Sequence, residues 1–138
     1  MDLKNFIGRQ QLAVMLQACN GEEGEFFRKL MVDLEEQIAT MPKTYETDGT
    51  PGKDLATLHY FMGGSDWWII EKDAGSPDDE VQGVQAQAFG LACLNGDVQN
   101  AELGYISIAE LIGHGVELDL YYKPEPIPEI KARLNKRR

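Results

Sequence analysis

The sequence predicts an α+β fold: two N-terminal helices packed on a mostly antiparallel sheet of about five strands, with one short helix before the last strand. Three observations predict it. Apolar residues recur at helical spacing through residues 8–41. Short stretches rich in aromatic and β-branched residues follow from residue 56 onward. Gly, Asn, Asp or Pro separates those stretches from one another.

The first helix is predicted over residues 8–19, where Leu12, Met15, Leu16 and Cys19 stand at the i, i+3, i+4, i+7 spacing of one face. "NGEEG" interrupts it, and its acids suit the first turn of a second helix over about 23–40. Phe27, Leu30, Met31, Leu34, Ile38 and Met41 form the apolar stripe of that helix, opposed by Lys29, Asp33, Glu35 and Glu36. Pro42 ends it. The acidic opposite face disfavours a membrane-surface role, which calls for Lys and Arg there.

"KTYETDGTPGKD" reads as a turn-rich surface connector. Strands are predicted at 56–62, 67–72, 85–93, 101–106 and 116–122. "AGSPDDE" is an exposed acidic loop between two of them, and "LNGD" holds the Asn-Gly pair of tight turns. "SIAE" matches a capping box, with Ser107 capping a short helix and Glu110 answering it. Beyond "VELDLYY" three alternating prolines exclude a central strand.

A chain of 138 residues fits one domain that buries roughly two-thirds of its unfolded surface without metals or disulfides. We place that domain at 1–122, with helices over 1–42, a connector over 43–55 and the sheet over 56–122. Residues 123–138 read as a Pro-rich, then basic, solvated tail. Charge divides at the same point. Residues 1–122 carry 21 acids and 7 bases, whereas 123–138 carry 6 bases and 2 acids. The acidic body disfavours direct nucleic-acid binding except through the basic tail. Cys19 and Cys93 read as buried thiols of a reducing compartment, with no Cys-x-x-Cys spacing. The start "MDLKNFIGRQ" lacks the apolar run of a signal sequence, and no stretch of about 18 apolar residues occurs. The expected location is cytoplasmic.

"LHYFMGGSDWWIIEKD", residues 58–73, reads as a hairpin turning at Gly63, Gly64 and Ser65. Loop length decides which side chains meet. A two- or four-residue loop sets Met62 opposite Trp67 and Tyr60 opposite Ile69, with His59, Phe61, Trp68 and Ile70 on the face away from Glu71. A three-residue loop brings Glu71 diagonally near His59. Two-residue turns are commoner, which favours the first register. Trp67 and Trp68 are adjacent and must point to opposite faces. One enters the core; the other is either covered by the connector or tail, or lies exposed beside acids as a binding hot spot. The candidate binding residues are therefore Trp67, Trp68, Tyr60, Asp66 and Asp73.

For catalysis, the carboxylates and imidazole to watch are His59, Asp66, Glu71 and Glu102. His114, between two glycines, reads as a loop residue. No histidine pair stands at ligand spacing and no Asp-x-Asp loop occurs, so neither a metal nor a cofactor is expected. Ser65 is not in a G-x-S-x-G elbow, and "GGSD" lacks the Lys and helix of a phosphate loop.

"LHYFMGGSDWWIIEKD", "QAFGLACLNGD" and "AELGYISIAEL", in this order, resemble a domain-of-unknown-function family of small bacterial proteins encoded on phages, plasmids and integrative elements. The resemblance covers roughly residues 58–122, and "IATMPKTYETDG" is similar to longer members. It implies a setting on mobile DNA and carries no catalytic residues. The expected function is thus a non-enzymatic accessory protein that binds another protein. A sharper version is an acidic nucleic-acid mimic or anti-defence inhibitor of a basic, nucleic-acid-binding host protein. The alternative is a small metal-dependent enzyme whose His59, Asp66, Glu71 and Glu102 converge in one cleft.

Overall fold

The computed structural model describes residues 3–46 and 54–136. A 3-10 turn at Leu3–Asn5 leads into helix α1 (Arg9–Ala18), followed by α2 (Gly24–Ala39). Leu34, Ile38 and Met41 of the predicted stripe are buried, and Phe27, Leu30 and Met31 are half-buried. In α1, Met15 is buried but Leu16 stays exposed, so that face is narrower than its spacing suggests. The end of α2 is fastened by Lys72, whose ammonium donates to the Ile38 and Ala39 carbonyls at 2.9 and 3.2 Å.

Strands β1 (Leu55–Ala56), β2 (Leu58–Met62), β3 (Ser65–Glu71), β4 (Ala88–Cys93) and β5 (Glu102–Ile106) follow. Then come α3 (Ile108–Gly113), β6 (Glu117–Leu118), β7 (Glu125–Pro126) and α4 (Ile127–Asn135). Strands β2 to β5 form an antiparallel meander, and β6 returns to the far side of β2, giving the order β5-β4-β3-β2-β6. β1 and β7 make a separate two-stranded ribbon. Asn95 and Gly96 both take positive φ, the combination of a type I′ turn, and the Asp97 N–H closes it on the Leu94 carbonyl at 2.9 Å. The Ser107 hydroxyl accepts the Glu110 N–H at 3.1 Å and caps α3.

Two predicted strands are shorter than their alternation suggests. Asp73 Oδ2 accepts the N–H groups of Ala86 and Gln87, holding them off the ladder until Ala88. After Leu118, Asp119 Oδ1 accepts the Tyr121 N–H in an Asx turn that bends the chain out of β6.

The β2–β3 loop has two residues, Gly63 and Gly64, and Gly63 sits at φ 55°. The predicted faces stand, but the partners slide by two residues. Met62 opposes Ser65, Tyr60 opposes Trp67, and His59 opposes Trp68.

The sheet separates two cores. On one side Leu58, Tyr60 and Ile69 pack with Phe6, Ile7, Met15, Leu34, Ile38 and Ile108, under α1, α2 and α3. On the other, Trp68, Ile70, Leu91 and Cys93 pack with Ile127, Ile130 and Leu134 of α4. Helices therefore cover both faces, and residues 123–136 are not a solvated tail. Ile127, Ile130 and Leu134 stand at i, i+3, i+7 and line one side of α4. Pro126 and Pro128 occupy the start of the helix, where a missing N–H has no intrahelical partner to lose. Arg137 and Arg138 of the predicted basic end, and residues 47–53 of the connector, lie outside the described residues.

Candidate functional site

The α4 face of the hairpin gathers the polar residues. His59 on β2 lies diagonal to Asp66 on β3, two residues along from its direct partner Trp68. On the other side of β2, Asp119 immediately follows β6 and donates its N–H to the His59 carbonyl at 2.8 Å. The sheet thus sets one imidazole between two carboxylates. Nε2 lies 2.8 Å from Asp66 Oδ1, and Nδ1 lies 3.2 Å from Asp119 Oδ2. In its imidazolium form the ring donates to both.

Aromatic rings enclose it. Trp68 stacks at a centroid distance of 5.2 Å and 15°, Phe61 at 5.9 Å and 29°, and Tyr122 is tilted at 5.4 Å. Tyr122 extends the network by donating its hydroxyl to Glu125 Oε1 at 2.8 Å. Arg133 of α4 closes the network with a two-pronged bond to the same carboxylate, Nη1 to Oε2 at 2.6 Å and Nη2 to Oε1 at 2.9 Å. Two polar groups, Asp66–His59–Asp119 and Tyr122–Glu125–Arg133, meet where the Tyr122 ring packs on His59, and together they tie β3, β2, the turn after β6, and α4.

The charges are set by these contacts. The Arg133 hydrogen bond holds the Glu125 carboxyl below the usual glutamate range; burial opposes it and the Tyr122 hydroxyl adds to it. Burial first, then donation to Glu125, pushes the Tyr122 phenol well above its ordinary value. A depressed carboxyl stabilises the fold above its unfolded value and loses that contribution as pH falls. Arg133→Gln is therefore expected to cost about 1 kcal/mol at neutral pH, a modest figure because Arg133 is 45% exposed. That difference should shrink as pH falls below about 4.3, and urea denaturation of both proteins across pH 3–7 reads it.

The other predicted residues stand elsewhere. Glu71 lies past a β-bulge at the far end of β3, buried, with Oε1 accepting the Tyr45 N–H at 3.1 Å. The His59–Glu71 pair does not form, because the two-residue turn gives His59 a different cross-strand neighbourhood. Glu102 is exposed on the opposite face, in register with Ala92 and Trp67. The four-residue cleft of the enzyme reading is therefore not assembled.

The binding candidates need similar correction. Tyr60 is fully buried and donates to the Phe6 carbonyl at 2.5 Å. Trp68 is covered by α4, and Trp67 is half-buried against the helical core. Asp73 spends its carboxylate on the N–H groups of Gly75, Ala86 and Gln87. His114 is the exposed residue that ends α3, as a loop residue would be.

Chemically, the His59 cluster is a closed clamp. Both ring nitrogens are engaged, so neither is offered to an outside substrate. Ser65 Oγ, for its part, accepts the Asn95 N–H at 2.9 Å. Among the described residues, no group of three or more His, Cys, Asp or Glu is placed to hold a metal ion. Sequence reasoning missed Asp119, Tyr122, Glu125 and Arg133. The only local signal was the acid within "VELDLYY", and nothing near it points back to residue 59.

Comparison of the chain with family models, with curated proteins and with solved structures found no match.

Proposed function

We propose that this chain is a non-enzymatic accessory protein of a bacterial mobile element that acts by binding another protein. One observation carries the proposal: the polar cluster most suited to chemistry is satisfied within the fold, while apolar side chains of edge strand β5 face solvent. The net charge of −10 favours a partner with a basic surface.

The nucleic-acid-mimic version has less support. Exposed carboxylates are spread over the α1–α2 turn (Glu22, Glu23), α2 (Asp33, Glu36), the loop at Asp78–Glu80, β5 (Glu102), α3 (Glu110) and α4 (Glu129). They lie on both sides of the sheet, whereas a copied phosphate backbone needs one continuous row. We therefore favour an ordinary protein–protein interface.

The test is affinity capture of the tagged protein from a bacterial host that carries it, followed by mass spectrometry. A reproducible, stoichiometric protein partner is the expected result. Repeated recovery of the protein alone, under conditions that preserve weak complexes, would overturn the reading.

A further inference from the structure

Two aromatic rings from distant parts of the chain meet on the surface and stay largely uncovered. Phe26, in the first turn of α2, stacks with Tyr121, in the turn after β6, at a centroid distance of 6.4 Å and 24°. Phe26 is 52% exposed and Tyr121 62%. Both rings are held in place. Half-buried Phe27 meets Phe26 in a T-shaped contact at 5.2 Å, and the Asx turn at Asp119 fixes the Tyr121 backbone. Burying such rings is favourable, yet the fold pairs them and leaves more than half of each residue in water.

Acids adjoin the pair on its α2 side. An open depression of about 570 Å³ is lined by residues 21–26 and Arg28. Its carboxylates are Glu22, Glu23 and Glu25, all exposed. Helical side chains lean toward the helix N-terminus, which carries the Phe26 ring over this acidic turn. The turn is tightly made, since a Cβ at Gly24 would collide with the Cys19 carbonyl oxygen. The two bases nearest on α2 are already engaged. Arg28 Nη1 donates to that same carbonyl at 2.5 Å, and Lys29 pairs with Asp33 at 2.8 Å. Lys123, two residues past Tyr121, leaves the three acids in excess.

From these features we infer that the Phe26–Tyr121 pair is a docking platform for an arginine on a basic segment of a partner protein. The face of an aromatic ring attracts a cation, and a planar guanidinium stacks on it while its N–H edge stays free for acceptors. The carboxylates of Glu22, Glu23 and Glu25 are the acceptors at hand. Charge selects this occupant. A second copy brings the same three acids and a net charge of −10, and an anionic lipid surface is repelled in the same way. A neutral apolar segment would use the rings and leave the acids without a role. The assignment rests on the protein-binding reading above and names the side chain that the partner places on this surface.

The probe is a capped hexapeptide of alternating glycine and arginine, added to the full chain. Its control replaces each arginine with citrulline, a neutral side chain of nearly the same shape. Proton NMR reads the contact, because ring currents move the arginine Cδ protons upfield when they lie over a ring. The citrulline peptide is expected to bind about tenfold more weakly or worse, a comparison that needs no protein variant. Phe26→Ala and Tyr121→Ala should each weaken the arginine peptide by about threefold or more and reduce the upfield shift. Glu22→Gln, Glu23→Gln and Glu25→Gln together should weaken it further than Asp78→Asn, Asp79→Asn and Glu80→Gln, which remove three charges from another loop. Equal effects of the two triple variants, equal binding of both peptides, or an upfield shift unchanged in Phe26→Ala would overturn the assignment. So would a peptide-free dimer that Phe26→Ala dissociates, since the rings would then belong to a second copy. Repeating the affinity capture with Phe26→Ala separates the two readings. A partner retained undiminished removes the aromatic platform and leaves protein binding intact; an arginine peptide seated on the rings while capture finds nothing removes the cellular reading alone.

Discussion

Trp68→Ala is expected to cost about 3–5 kcal/mol and to loosen α4 from the sheet. The side chain is only 2% exposed and lies in the core that Ile127, Ile130 and Leu134 share with Ile70 and Leu91. That core is the smaller of the two, and a single nine-residue helix covers it. A helix this short has little stability of its own, so its order depends on the apolar surface beneath it. The indole also forms one wall of the His59 enclosure at 5.2 Å. Its loss opens the clamp between Asp66 and Asp119 to water. Urea denaturation followed by far-UV circular dichroism gives the cost without relying on the tryptophan signal. Hydrogen exchange should speed up first across residues 127–135. A loss under about 1 kcal/mol, with α4 exchange unchanged, would show that the helix is not seated through Trp68.

The same tryptophan shows what could be read from the sequence. Adjacent Trp67 and Trp68 had to face opposite ways, and they do, one in each core. What the sequence concealed was the lid over Trp68. Ile127, Ile130 and Leu134 carry a helical period, but alternating prolines and a run of bases surround it, and both suggest a solvated segment. The prolines instead occupy the one region of a helix that tolerates them. The α2 stripe, by contrast, runs over its whole length without such interruption, and its inner face matches expectation.

The candidate site was only partly legible, for a related reason. His59 and Asp66 are neighbours within one hairpin, so counting residues across the turn could have paired them once the loop was fixed at two residues. Asp119, Tyr122, Glu125 and Arg133 reach the cluster through β6 and α4, from 60 or more residues away. Such contacts follow from topology, and periodicity does not encode topology. The carboxylates that looked promising from spacing alone, Glu71 and Asp73, satisfy backbone N–H groups instead. In a fold with many loops, that is a common use for an acid near a turn.

Gly90→Ala is expected to cost about 3 kcal/mol or more, although it adds only one methyl group. A Cβ at residue 90 would overlap the Trp68 carbonyl oxygen and sit 3.0 Å from the Ile69 Cα. Both are backbone atoms of β3, the central strand, held between β2 and β4. A flexible side chain could turn aside, but this neighbour can retreat only by pulling β3 and β4 apart. That separation would fall at the Ile69–Gly90 pairing, just before the bulge that leads to Glu71. It would also displace Trp68 and Ile69, which face opposite cores, so both would lose packing together. Gly104, directly across from Gly90 on β5, has nothing within 4 Å of the same construction, and Gly104→Ala should cost well under the central substitution. Midpoints of urea denaturation for the two variants, measured side by side, test the contrast. Equal midpoints would mean that β3 and β4 do not approach as closely at Gly90 as the structure places them. A large loss confined to Gly90→Ala would instead locate the tight seam of the sheet beneath Trp68, with the β5 edge free to change without disturbing either core.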